Sequence, residues 1–164
     1  MEALDIREDA ASEPNGEANE SRSLQLIAFS IGEQVYGVEI TTVREIRAWG
    51  GATPLPNTRE YVRGVINLRG TIVPIFDLRA RFGDGKTDPT KNHVVVVLSV
   101  GDKWVGLLVD AVSDILTVSK DEIHNVPESH SNDTDLLTGI VTHESRMVGL
   151  IDLHQVVAGA RLDN

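Results

Sequence analysis

The side chains that could move protons or hold a metal are few in this chain, and they are dispersed. The five histidines are His93, His124, His130, His143 and His154. No two stand four apart, the spacing that would set paired imidazoles on one helix face for a metal. His124 and His130 flank Pro127 in a polar loop, where imidazoles are expected to face water. Asp110 and Asp114 follow an apolar run and could form an acid–base pair or a hard-cation site. At the end of a strand pattern, however, they read better as turn and capping residues. Asp77 and Asp152 each precede Leu and a helix-like segment, and read as N-caps. Gly-x-Ser-x-Gly, His-Glu-x-x-His, Gly-x-x-x-x-Gly-Lys and Gly-x-Gly-x-x-Gly motifs are all missing. There is no cysteine, so thiolate chemistry and disulfides are excluded. Nothing assembles a nucleophile, a base and an oxyanion site, so neither an enzyme nor a cofactor or metal site is expected.

Binding is what remains. At 164 residues the chain suits one domain or two small ones sharing a core. Apolar residues make up 41% and aromatics 4%, so the core must be mostly Val, Ile and Leu, which favours strands. A formal charge of -10 argues against nucleic acid or an anionic membrane as main partner. A nucleic-acid-binding barrel would also need a basic face with exposed aromatics. No apolar run approaches the roughly 18–20 residues that span a bilayer, and no signal peptide is evident; a cytoplasmic location is expected. Residues 1–23 hold seven acids and two arginines and are expected to form a disordered acidic tail.

From Leu24 the pattern turns strand-like. Leu24 to Ser30 and Gln34 to Ile40 read as strands joined at Gly32-Glu33. Thr41 to Arg47 fits a helical turn or a strand extension. Thr58 to Arg63 reads as a short helix with a Thr cap, and Arg79 to Phe82 as one more turn. The stretch Gly64–Leu78 (GVINLRGTIVPIFDL) reads as a hairpin turning at Arg69-Gly70, where Gly70 supplies positive φ. Alternation puts Ile66, Leu68, Val73 and Ile75 on one face and Val65, Ile72, Pro74 and Phe76 on the other. Both faces are apolar, which asks for apolar mass above and below, while the tip shows Arg69 beside Asn67. Pro74 cannot donate to a ladder, which suggests an edge strand.

The pattern then repeats. Leu26–Ile46 superposes on Val95–Ile115 with a shift of 69, aligning Gly37 with Gly106, Val43 with Val112 and Ile46 with Ile115. The hairpin recurs with a shift of 75, aligning Gly64 with Gly139, Val73 with Val148 and Asp77 with Asp152. Two β-rich modules follow, residues 24–84 and 91–158, with exchange of a strand between them allowed for. Each is near the size limit for an independent core, so they should lean on one another as small closed barrels. The tips differ: Arg69 in the first copy is Glu144 in the second. Ile40, Val43 and Ile46 form an apolar line matched by Val109, Val112 and Ile115. Facing each other across the module boundary, two such lines would make a groove for a partner helix.

Asn67-Leu68-Arg69-Gly70 leading into Ile72-Val73-Pro74-Ile75-Phe76-Asp77-Leu78 resembles the signature hairpin of CheW-like chemotaxis coupling proteins. Tyr36–Arg47, Val105–Leu116 and Leu137-Thr138-Gly139 resemble further segments of that family, so the likeness covers residues 24–158. The resemblance implies an all-β fold with a few short helices: two SH3-like five-stranded β-barrels sharing a hydrophobic core. It implies a non-catalytic adaptor joining the regulatory domain of the chemotaxis histidine kinase to the cytoplasmic hairpin tip of chemoreceptors. Such a protein is recruited to membrane-associated receptor arrays without inserting into the membrane. By this resemblance Arg69 belongs to receptor and kinase control. The receptor-contact positions map onto Val43, Glu45, Gly64, Val94, Val112 and Ile115, with Ile40 nearby. A coupler of a non-flagellar chemosensory pathway, or a peptide-binding β-barrel unrelated to receptors, stands as the alternative.

Overall fold

The computed structural model describes residues 23–127 and 136–158. The expected acidic tail up to residue 22, and His130, lie outside the described residues; Ser23 already opens a strand. The described residues form ten strands: β1 (Ser23–Ile31), β2 (Gln34–Glu39), β3 (Val43–Ala48), β4 (Val62–Leu68), β5 (Thr71–Asp77), β6 (Val94–Val100), β7 (Lys103–Val109), β8 (Ala111–Ser119), β9 (Leu137–His143) and β10 (Arg146–Ile151). They form two five-stranded sheets, ordered β8-β1-β2-β10-β9 and β3-β6-β7-β5-β4. Helical turns at Leu78–Arg81 and Leu153–Val157 follow β5 and β10. Asp77 and Asp152 cap them as expected, accepting from the Ala80 and Gln155 amides.

Adding five to each strand number converts one sheet order into the other, so the repeat is structural as well as sequential. The repeats are nevertheless interleaved. β1 and β2 join β8, β9 and β10, whereas β6 and β7 join β3, β4 and β5. Each of the stretches 24–84 and 91–158 thus contributes to both sheets, and the exchange involves a strand pair from each. The crossover falls at the 3-10 turn Ile40–Thr42, where the chain leaves β2 and enters the other sheet as β3.

This arrangement explains strands that are apolar on both faces. Leu26 and Ala28 of β1 face the interior of their own sheet with Val148 and Leu150. Ile27 and Phe29, pointing the other way, enter a central cluster shared with Phe76, Val96, Leu98 and Leu107. β6 repeats the division: Val95 and Val97 pack with Val73 and Ile75, whereas Val96 and Leu98 go to the centre. The molecule therefore has two barrel interiors and a third apolar core between them.

Three local expectations fail. Thr58–Arg63 is not helical: Val62 is buried as the start of β4, and the Thr58 hydroxyl donates to the Leu55 carbonyl. β5 lies inside its sheet between β7 and β4. Pro74 is tolerated because the parallel ladder to β7 begins at Ile75, one residue later. The outer face of the β4–β5 hairpin is covered only at its base, where Phe76 is buried; near the tip Ile72 is 57% exposed.

Asp110, after β7, fastens the two sheets together. Its carboxylate accepts from Arg79 Nη2 at 2.7 and 2.6 Å and from the Gly32 amide at 2.7 Å. Gly32 turns β1 into β2, and Arg79 follows β5 of the other sheet. Partial burial pushes the Asp110 pKa up. The Arg79 and Gly32 hydrogen bonds and the charges of Arg79 and His93 outweigh it and hold the group below its ordinary value. Asp110→Asn should cost about 1–2 kcal/mol at pH 7 in denaturant melts. Because the folded-state pKa is depressed, this stabilisation is complete above the unfolded-state value and is lost as pH falls through the folded one. The gap between the two proteins should therefore narrow as pH falls below 3.8; a gap that stays constant throughout the acid range would show that the charge contributes nothing.

Candidate functional site

Arg69 and Gly70 both adopt positive φ, 52° and 91°, giving the type I′ turn whose twist matches the flanking strands. Asn67 closes the turn, its side-chain oxygen accepting the Gly70 amide at 2.8 Å. The turn aims Arg69 across the sheet's opening to the far terminal strand, where Nη2 donates to Glu45 Oε1 at 2.9 Å. Arg47 Nη1 donates to the other Glu45 oxygen at 3.2 Å. The Arg69 hydrogen bond, opposed by desolvation and aided by the charges of Arg69 and Arg47, holds the Glu45 carboxyl below its ordinary pKa. Arg69 spends one contact on this pair and leaves its side chain 69% exposed, so most guanidinium donors still face outward.

β3 carries two chemistries on its two sides. Glu45 and Arg47 lie opposite Val97 and Val95, on the barrel side; Val43 and Ile46 lie opposite Leu98 and Val96, on the central side. Residues three apart in a regular strand point to opposite faces, but the register shift between Val43 and Glu45 inserts Arg44 as an extra residue. β8 repeats this: Val112 and Ile115 lie opposite Phe29 and Ile27, with a shift that leaves Ser113 over. The expected apolar lines thus exist, but they are not wholly exposed. Ile40, Val43, Val94 and Val112 are partly buried against the central cluster and Val109 belongs to it. Ile46 and Ile115 remain 43% and 57% exposed where the lines emerge on the two edge strands.

Gly64 is a different kind of residue. Its φ is 136°, and a Cβ there would lie 2.2 Å from the Thr53 carbonyl oxygen. Thr53 pairs with Val65 through both backbone hydrogen bonds, at 2.8 and 2.9 Å, so Gly64 lets this strand-like segment close on β4. The structure therefore brings Glu45 and Arg69 together, sets Ile40, Val43, Val94, Val112 and Ile115 around the central seam, and gives Gly64 a backbone role.

Two residues enter with the structure: Arg47 as a partner of Glu45, and Met147 as an exposed counterpart of Ile72. Met147 is 61% exposed and lies 75 positions after Ile72, so the repeat itself held the signal. In the second barrel, Asp114 and Glu144 occupy the places of Glu45 and Arg69. Glu144 and Ser145 keep the turn's positive φ, 50° and 69°, while the tip charge is reversed. Among the described residues no group of three or more His, Asp or Glu could hold a metal.

The model of one protein family, described as the CheW-like domain, matches residues 25–161. This chain belongs to the CheW-like domain family. The probable chemotaxis protein CheW of Rhizobium etli is 51% identical over 130 residues, covering 79% of this chain and 84% of its own. The chemotaxis protein CheW of Rhizobium meliloti is 48% identical over 133 residues, covering 80% and 86%. In the crystal structure of the scaffolding protein TtCheW from Thermoanaerobacter tengcongensis the fold recurs with a TM-score of 0.76 at 33% identity, over 81% of this chain and 86% of that one. Two SH3-like subdomains, the arrangement expected for the family, accord with the two sheets.

Gly64→Ala should destabilise the protein by more than about 2 kcal/mol in chemical denaturation, because both the backbone conformation and the Thr53 carbonyl oppose a side chain. A variant of parent-like stability would return Gly64 to the list of direct partner contacts.

Proposed function

We propose that this chain is a non-catalytic coupling protein. In this reading it joins the cytoplasmic helical hairpin tip of chemoreceptors to the regulatory domain of the chemotaxis histidine kinase and passes receptor state to kinase activity. The observation that carries the reading is the Arg69–Glu45 pair, held on a rigid turn with an exposed guanidinium. β3, the strand that supplies Glu45, also shows Ile46 toward the seam. A helical partner would lay apolar side chains along the seam edge against Ile46 and Ile115, with Val43 and Val112 as its floor. Arg69 would then fix register by meeting polar groups on that helix. Exposed ion pairs contribute little, whereas an arginine desolvated by its partner can be worth about 2 kcal/mol. Membership in the CheW-like family and the likeness to chemotaxis proteins of two Rhizobium species support the same reading. A localisation at receptor arrays would follow from partner binding; no described helix is long and apolar enough to cross a membrane.

Arg69→Ala should weaken binding to a receptor hairpin fragment about thirty-fold, the equivalent of ~2 kcal/mol, with little change in melting temperature. Unchanged binding and unchanged kinase activation would reduce the pair to a closure of the barrel. Ile115→Asp should also lose receptor binding while melting normally, since the side chain is already largely in water. Val43, half-buried against the central cluster, is unsuitable for that test because a charge there attacks the fold.

A further inference from the structure

Of the five arginines between Val43 and Gly70, Arg63 pairs with Asp77, while Arg44, Arg47 and Arg69 gather around Glu45, in a protein of net -10. Arg47 and Arg69 share the single carboxylate of Glu45, which leaves the trio with surplus positive charge, and their side chains stay 42% and 69% exposed. Arg44, the extra residue of the β3 bulge, is exposed as well. Beside them opens a cleft of about 480 Å³ between β3 and β4, the two terminal strands of their sheet. Arg47 and Asn67 stand at its sides, and Gly50, Gly51 and Ala52 form a wall with almost no side chain. A site with the edge strand β3 on one side, a bare wall and an excess of arginine over carboxylate suits an extended acidic peptide.

The chain holds such a peptide. Residues 1–22 contain seven acids and two arginines, a net charge of -5. We propose that this N-terminal segment folds back onto the arginine face and occupies the β3–β4 cleft of its own molecule. The point of attachment favours it. The segment joins β1 at Ser23, and Leu24 lines the same crevice as Thr42, the residue immediately before β3. From Thr42, Arg47 is five residues further on, about 17 Å at 3.3 Å per residue. A flexible chain of about 12 residues has a root-mean-square span near ~20 Å, so the acids around Glu8 and Glu13 are within reach. Tethering keeps their local concentration in roughly the millimolar range, enough to populate a weak charge contact that free peptide would not hold. This contact goes beyond the coupling role and does not depend on it. It makes the segment an internal competitor that any acidic partner of Arg69 has to displace.

The absence of cysteine allows a single nitroxide to be placed on the full-length protein through Ser12→Cys. At low salt the label should broaden the amide resonances of Arg47, Ala48 and Gly70 several-fold more than those of Asp114 and Glu144 at the other barrel. The difference should vanish in about 0.5 M NaCl, where the Debye length falls below 5 Å. It should vanish equally in a full-length variant with all seven acids replaced by Gln or Asn. Broadening that ignores salt and charge, or that centres on another surface, would overturn the proposal. So would broadening that appears only on isotope-labelled chains lacking the nitroxide when mixed with spin-labelled ones, because the occupant would then come from a second copy.

Discussion

Phe29, Phe76, Val96, Leu98 and Leu107 meet in an apolar core that belongs to neither sheet alone. Alternation along a strand sends half the side chains of β1 and β6 away from their own barrel, and in this chain those halves are apolar too. Left in water, either sheet would expose a broad hydrophobic face, a liability in a unit near the size limit for independent folding. Packing the sheets back to back removes both faces at once. The Asp110 clamp, the crossover at Ile40–Thr42 and the positions of Val43 and Val112 all take their geometry from this contact.

Around that shared core the two barrels keep their backbones alike and let their tips diverge. The same left-handed pair of turn residues presents Arg69 at one tip and Glu144 at the other. Where Glu45 balances Arg69, the equivalent positions in the second copy, Asp114 and Glu144, are both acids. Bulges fall at equivalent places in both edge strands, leaving out Arg44 and Ser113. These bulges bring residues three apart onto one face, so a spacing that belongs to helices describes an apolar edge made of strands.

Much of this was legible in the residues because it is local or periodic. The turn at Arg69-Gly70, the caps at Asp77 and Asp152 and the two-copy repeat follow from short-range chemistry. The residues allowed for strand exchange without deciding it, because interleaved and sequential copies share one sequence periodicity; only the partner of β1 distinguishes them. Thr58 misled for a related reason. A threonine before Arg59, Glu60, Tyr61 and Val62 fits a helix start, yet Val62 is worth more buried opposite Phe76 than exposed on a short helix. Pro74 was sound chemistry applied to a whole strand, when only the half before Ile75 lacks its second neighbour. The Arg69–Glu45 pair joins residues 24 apart on opposite borders of a sheet, and no pattern in the sequence marks such a meeting.

The interleaving of the repeats also sets a timetable for synthesis. β1 and β2 emerge first and can pair with each other, but their remaining neighbours are β8 and β10. Until the ribosome has released the chain through Ile151, that first hairpin has no complete sheet to join. The other sheet needs only β3 to β7, which are contiguous in the chain, and can close while the last third is still being made. Nascent-chain order thus runs opposite to sequence order: the barrel that contains the first strand is the last to be completed.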